Sequence, residues 1–446
     1  MAYNVRDFGA AGDGVHKDTE AIQRAIDRCH AAGGGRVLLP GGGVYLSGSL
    51  LLRENIELHL ESGAELRGST ELADYRSFSE DGELQLHSGV PSYVNSEYDG
   101  RPKQYFLYAK GGENIRITGF GTISGAERIY HGEEKPYHID GAFYPRIPVI
   151  LTEAVSQLTI RDITITESAF WTVHLVGCRD VLIDGIRILN SLNMANCDGI
   201  DPDHCENVRI VNCHIECADD CIVLKNTGAF SGYGPCRNIL IANCTLVSTS
   251  SAIKLGSEST DDFRNVLIQN CVISRSNRGI CIQLRDGGNV ENVFISNISI
   301  ETRRFSEEWW GRAEAVCITA LDRKGGVCAG QIRGVHIENV SCTGENGIFI
   351  HGSEGHLLRD ISLRNVRLCL EKRSKWQTDS YDLRPCETDG ILPSKLYGVY
   401  LNYAEDIRMQ DVRVYCGESM REVYGGAVYR GAHCGEISGE AEERMG

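Results

Sequence analysis

The chain has 446 residues, 42% of them apolar, and a formal net charge of −16. That surplus of negative charge argues against nucleic acid or an anionic membrane as a partner. No apolar run reaches the roughly 18 residues that a membrane-spanning helix needs.

The chain opens Met1-Ala2-Tyr3-Asn4-Val5-Arg6, with no basic stretch followed by an apolar one, so no leader is read there. The expected location is therefore the cytoplasm, with the eighteen cysteines as reduced thiols. The first element is a helix over about 18–31. Asp18 or Thr19 is placed to cap it, Ala21, Ile22, Ala25, Ile26 and Cys29 form an apolar stripe, and Gly33-Gly34-Gly35 ends it. Three irregular segments, about 70–104, 303–313 and 370–395, carry aromatic residues and are expected to project as cleft walls.

Between them one phrase recurs: Asn or Asp, an apolar-x-apolar triplet, a short spacer and a second apolar strand. It stands at Asn114-Ile115-Arg116-Ile117, Asp180-Val181-Leu182-Ile183, Asn207-Val208-Arg209-Ile210, Asn238-Ile239-Leu240-Ile241, Asn265-Val266-Leu267-Ile268 and Asn292-Val293-Phe294-Ile295. Later copies are Gly334-Val335-His336-Ile337 and Asp406-Ile407-Arg408-Met409. Strands this short, at a period in the solenoid range and with no room for helices between them, predict an all-β, single-stranded parallel β-helix. One such domain would fill 1–446, with the first helix capping its open end. Asn at the strand start suits a left-handed corner. The rival, a β-propeller, needs a longer period and more regular tryptophans. Many cysteines, such as Cys213 and Cys271, fall inside the strands and read as small core residues. Cys213, Cys217 and Cys221 lack the Cys-x-x-Cys spacing of common zinc sites, so neither a metal nor a cofactor is expected.

Two clusters stand out against this background: Asn196-Cys197-Asp198-Gly199-Ile200-Asp201 and Ala218-Asp219-Asp220-Cys221. They lie about one repeat apart, and neighbouring rungs of a β-helix are about 4.8 Å apart. Asp198, Asp219 and Asp220 would then crowd on one face, which is equipment for acid/base cleavage of a glycosidic bond. The bland alternative is that Asp-Gly and Asp-Asp merely mark turns.

At this point the sequence resembles glycoside hydrolase family 28, the polygalacturonase-like enzymes, over most of its length. The resemblance rests on Asp7-Phe8-Gly9-Ala10-Ala11-Gly12-Asp13-Gly14, Asp18-Thr19-Glu20-Ala21-Ile22, Phe170-Trp171-Thr172-Val173-His174, Asp198-Gly199-Ile200-Asp201 and Asp219-Asp220-Cys221-Ile222. It implies a right-handed parallel β-helix and hydrolysis with inversion. Asp219 resembles the general acid, and Asp198 and Asp220 resemble the pair that activates water. Two family motifs are missing. Ser251 stands where the family has a histidine, and Cys281-Ile282-Gln283 stands where it has Arg-Ile-Lys to grip the substrate carboxylate. The expected reaction is therefore hydrolysis of pectin-derived or related plant oligosaccharides from a chain end, at a rhamnogalacturonan-type or neutral-sugar bond. The rivals are a polysaccharide lyase on the same fold and a non-catalytic carbohydrate-binding solenoid. Candidate substrate contacts are Lys225, Lys254, Gln283, Arg285 and Arg384, with His174, Trp171 and Trp310 as ring or stacking partners. An oligosaccharide is the expected partner, and self-association into a homo-oligomer is left open.

Overall fold

The computed structural model describes residues 1–76, 104–130, 135, 146–323 and 326–445. The expected insertion at 70–104 falls mostly on 77–103, outside the described residues. Two compact units make up the chain: Met1–Ala218 with Gly228–Tyr233, and Asp219–Thr227 with Gly234–Gly446. Each is a stretch of parallel β-helix, with the right-handed crossovers expected of parallel strands. Among the described residues, no helix is long and apolar enough to cross a membrane.

In the first unit one sheet runs through Leu107–Lys110, Ile150–Glu153, Val173–Val176 and Ile200–Asp203, all parallel and in register. Leu107, Ile150, Val173 and Ile200 are matched rung by rung and fully buried. The second unit repeats the device along Ile222–Asn226, Ser251–Ser259, Arg278–Leu284, Val316–Ala320, Ile348–His351 and Leu396–Asn402. There Ile222, Ile253, Ile280, Val316, Ile348 and Val399 form the inward row. Each such aliphatic side chain, once buried, stabilises by about 1.5–3 kcal/mol. A propeller is ruled out by the pairing, since its blades are antiparallel. Here the only antiparallel strand pair among the described residues is the small ribbon Ser380–Asp382 with Ile391–Pro393.

The helix spans Thr19–Ala31 and buries Ala21, Ile22, Ala25, Ile26 and Cys29. Its cap differs from expectation. Asp18 occupies the cap position but makes no capping bond; its carboxylate accepts the Ala11 and Gly12 amides at 2.6 and 3.0 Å instead. Thr19 is likewise turned away, its hydroxyl oxygen accepting the Gly48 amide at 2.8 Å. The glycines act as read. Gly34 has a φ of 108° and returns its amide to Cys29 O. A Cβ there would meet the Asn55 carbonyl oxygen at 2.3 Å.

The recurring asparagines hold the corners. Asn238, Asn265 and Asn292 all have φ near 58°, and their side chains bond along the solenoid. Asn292 Nδ2 donates to Asn265 Oδ1 at 2.7 Å, and Asn265 Nδ2 to Asn238 Oδ1 at 2.9 Å. An alanine pays for the left-handed backbone with no side-chain bond to offset it. Asn265→Ala is expected to lower stability by about 1–2 kcal/mol, and Asn265→Gly by less, as read from denaturant midpoints. Equal midpoints for wild type and the alanine variant would show that the ladder carries no stability. The eighteen cysteines are all free thiols, fifteen of them buried.

Candidate active site

In the first unit the turn before Ile200–Asp203 carries Asp198, which is buried. The turn is clamped from three directions. Thr172 donates its amide to Asp198 O at 2.9 Å. Asn190 Nδ2 donates to Cys197 O at 3.2 Å and to Thr172 Oγ1 at 2.8 Å. Arg146 donates to Asn196 Oδ1 at 2.8 Å, to Ala169 O at 2.7 Å and to Ala195 O. Its guanidinium also lies over the Phe170 ring. Arg146 escaped the sequence reading because it belongs to no repeat or motif, only to a place in space beside the Asp198 turn.

His174 and Trp171 are next to each other in this unit, and neither is placed as a sugar platform. Trp171 is 2% exposed, stacked on Phe170 at 4.9 Å and edge-on to His174 at 4.8 Å. His174 is buried with Nε2 3.1 Å from Asp203 Oδ2. The expectation of an exposed stacking ring at Trp171 is corrected: core packing takes both of its faces out of solvent. His174 is a packed residue held by a carboxylate.

In the second unit Asp219 and Asp220 precede the strand Ile222–Asn226. Both are buried, and a carboxylate oxygen of each lies within 4.8 Å of the other's. Asp219 Oδ1 accepts the Asp220 amide at 3.0 Å, and its carbonyl accepts the Ser248 hydroxyl at 2.6 Å. Asp220 is the more tightly held. Its Oδ1 accepts Ser250 Oγ at 3.1 Å and the Ser251 amide at 3.0 Å, while its Oδ2 faces Lys254 Nζ at 2.8 Å. Burial alone would raise the Asp220 carboxyl. The charges of Lys254 and Lys225 and the bonds from Lys254 and Ser250 outweigh it, holding the group below its ordinary value. Burial works against the Lys254 ammonium too, but Asp220 and Asp219 keep it above its ordinary value. The pair thus stays ionised. Lys254, read as a substrate contact, is instead bonded to Asp220. Lys225 is also buried, with Glu258 Oε2 at 3.5 Å from its Nζ.

The later candidates join a packed lock rather than a cleft surface. Val223, Lys254, Cys281, Cys317 and Phe349 are the outward row of the sheet. The segment Ser380–Cys386 lies over its later rungs, with Tyr381 stacked on Phe349 at 4.4 Å. Gln283 Nε2 donates to Arg384 O at 3.1 Å. Arg285 donates to Leu383 O at 2.8 Å, Thr319 Oγ1 at 3.0 Å and Pro385 O. Arg384 donates to both oxygens of Asp382, at 2.9 and 2.8 Å, and to Trp309 O at 2.9 Å. It also covers one face of the half-buried Trp310 ring, 5.1 Å from its centroid. Gln283 and Arg285, both buried, are therefore corrected from substrate contacts to pins of this segment, while Arg384 pins it with a quarter of its side chain exposed. Each carries long, hydrogen-bond-rich atoms that find partners in the chain itself before any ligand. Beneath them Arg278 Nε donates to Glu314 Oε2 at 3.1 Å and Nη2 to Asp382 O at 2.9 Å. Asp382 also accepts the Gly311 amide at 2.7 Å, which ties the 303–313 segment to the same lock.

The pattern described as "Glycosyl hydrolases family 28" matches residues 59–380 of this chain, well over half of it. The chain belongs to glycosyl hydrolase family 28. A second pattern, "Rhamnogalacturonase A/epimerase, pectate lyase-like", matches residues 2–71 of this family 28 chain. A probable polygalacturonase of Vitis vinifera is 32% identical over 261 residues, which cover 56% of this chain and 50% of that protein. A probable exopolygalacturonase B of Aspergillus terreus is 29% identical over 204 residues, 43% of this chain and 42% of that protein. The chain spans about half the length of the curated relatives it matches. Among solved structures, the family 28 exopolygalacturonase of Yersinia enterocolitica superposes with a TM-score of 0.70 at 21% identity, over 99% of this chain and 78% of that one. At that identity the likeness speaks for the fold, a right-handed parallel β-helix.

Proposed function

We propose that this family 28 protein is an inverting glycoside hydrolase that works from the chain end on pectin-derived or related plant oligosaccharides. In this reading Asp219 protonates the leaving glycosidic oxygen. Asp220 and Asp198 take a proton from the water that attacks the anomeric carbon, so the new hydroxyl arrives on the opposite face. The observation that carries it is the Asp219-Asp220 turn. Two neighbouring carboxylates meet there, and one is held ionised by Lys254. Family membership supports the reaction class.

The bond cleaved is proposed to be of rhamnogalacturonan or neutral-sugar type. Support comes from the rung where the family grips galacturonate: Cys281 and Gln283 stand there, and Arg278, Arg285 and Arg384 around them are engaged by groups of the chain itself. The match of residues 2–71 to a rhamnogalacturonase-type pattern points the same way. Action at the end of the sugar chain is read from Ser380–Cys386, which lies over the later outward rungs. The curated relative named as a probable exopolygalacturonase agrees with it.

The test is product analysis by NMR after incubation with rhamnogalacturonan fragments and, separately, oligogalacturonate. Release of a single terminal sugar from the first, with inverted anomeric configuration, is the expected result. Galacturonic acid released from plain oligogalacturonate would overturn the substrate assignment. An unsaturated, ultraviolet-absorbing product would replace hydrolysis with elimination.

A further inference from the structure

We propose that Arg312 holds the carboxylate of a uronate sugar next to the sugar whose bond is cut, so that the substrate carries acidic and neutral sugars side by side. The proposal deepens the hydrolase reading above and rests on it for the sugar. The anion site itself rests on the surroundings of Arg312. This arginine is 6% exposed, a burial at which a charged group is normally paired. Its guanidinium finds little compensation. Nη1 donates to Glu307 O at 2.9 Å and reaches Gly311 O at 3.5 Å. Nε is buried with no acceptor. Nη2 donates to no group of the chain, yet it is not shut in as Nε is. Among the described residues no carboxylate forms an ion pair with it.

The cause is a shortage of carboxylates. Arg278, Arg304, Arg312 and Arg384 meet around the 303–313 segment, and Glu307, Glu314 and Asp382 serve the other three arginines. Glu314 takes Arg278 at 3.1 Å, Asp382 takes Arg278 at 3.5 Å and Arg384 at 2.8 Å, and Glu307 takes Arg304 at 3.3 Å. Glu314 does touch Arg312, but at its backbone amide, 2.7 Å away, and not at the guanidinium. Burial first, then the like charges of Arg304 and Arg384, push the Arg312 guanidinium below its ordinary value, against the pull of Asp382 and Glu314. Glu308, beside Glu307, is exposed, so solvent screens its charge. An uncompensated buried cation costs stability, and a bound anion restores the balance. A guanidinium edge suits a carboxylate, with N–H groups facing both oxygens.

The place of this group in the coil makes the anion a sugar acid. Arg384, in the same lock, is bonded through its carbonyl to Gln283 on Arg278–Leu284. That strand pairs with Ser251–Ser259, which supplies the lysine bonded to Asp220. Two rungs thus separate the lock from the Asp220 turn, roughly 10 Å at the spacing of parallel strands. That is the reach of a neighbouring sugar and not of the ring being cleaved. Trp310, two residues before Arg312, adds a half-buried ring with Arg384 on one face, an apolar wall of the kind that sugar rings stack on.

The experiment compares rhamnogalacturonan fragments with the same fragments after their carboxyl groups have been reduced to alcohols. The wild type should show a KM about tenfold lower for the acidic form, with a similar kcat. Arg312→Met should lose most of that preference by a raised KM for the acidic fragments alone, and Arg312→Lys should keep part of it. The same KM ratio in wild type and Arg312→Met would overturn the proposal, as would a wild type with no preference. Stability is a second readout. Arg312→Met removes a buried charge that has no counter-ion, so without sugar its denaturant midpoint should equal or exceed that of the wild type. A clear drop would make Arg312 a pin of the loop and overturn the proposal. Calorimetric titration with both forms separates this site from the hydrolase reading. If the wild type cleaves neither form but binds the acidic one more tightly, and Arg312→Met binds both alike, the hydrolase reading fails and the anion site stands. Equal binding of both forms by the wild type would overturn the site.

Discussion

Replacing Asp219 with asparagine is expected to slow turnover by about 10²–10⁴-fold while the protein stays folded. The substitution is nearly isosteric. Asp219 Oδ1 accepts the Asp220 amide at 3.0 Å, and the asparagine carbonyl oxygen can accept the same bond, so the turn keeps its shape. What it loses is the proton. The leaving oxygen of a sugar is a poor leaving group unless protonated, so the loss should be large on natural oligosaccharides. It should be much smaller on an aryl glycoside whose phenolate departs unaided. Turnover with both substrate types, together with thermal midpoints for the two proteins, checks this. Unchanged turnover of the natural substrate would remove Asp219 from the role of acid. An equal loss on both substrates would assign it a different step.

The second large effect is on stability. Arg278 is almost fully buried between two carboxylates, Glu314 at 3.1 Å and Asp382 at 3.5 Å, and it also bonds the Asp382 carbonyl. Arg278→Met keeps the apolar stem and removes the charge. Glu314 is then left buried without its cation, and a loss of about 3–5 kcal/mol is expected. The effect should also depend on pH. Burial by itself would raise the Asp382 carboxyl, but Arg278 and Arg384 hold it well below the usual carboxylate range. A carboxyl depressed in the folded state adds stability that is complete above its unfolded value, about 3.9, and that disappears as pH falls toward the folded value. The variant has part of this removed already, so its stability should fall less steeply than the wild type's below about pH 4. Denaturant midpoints at neutral and acid pH decide it. A variant as stable as the wild type at pH 7 would show that the lock holds Ser380–Cys386 without Arg278.

The architecture was legible because it is written locally. An asparagine at a left-handed corner followed by alternating Ile and Val carries its own geometry, and Asn238, Asn265 and Asn292 adopt it with φ values within two degrees of one another. Asp219 and Asp220 stand out in the sequence for a like reason, since they share one turn of a repeat; Lys254 lies on a strand of the next repeat, but its bond to Asp220 is not written there. The long polar side chains were not legible. Gln283 ends on Arg384 and Arg285 on Leu383, 101 and 98 residues further along, and no pattern within one rung encodes that meeting. Asp18 shows the same limit at short range: its position is that of a helix cap, but the competing amides of Ala11 and Gly12 claim the carboxylate. Trp171 was misjudged because a Phe-Trp pair looks alike whether its rings face solvent or each other.

The asparagine ladder has a consequence for how such a protein can change. Successive rungs are bonded at a spacing of 27 residues from Asn265 to Asn292, 42 from Asn297 to Asn339 and 26 from Asn339 to Asn365. The spine therefore counts turns of the coil and is indifferent to how much chain each turn holds. Extra length leaves at a corner and returns in register, and lengthening such an excursion costs little entropy, about 0.6 kcal/mol per doubling. Evolution can thus rewrite the lock around Ser380–Cys386, and with it which sugars fit, by trading peptide at the corners while the Asp219-Asp220 turn and its lysine stay on their rungs.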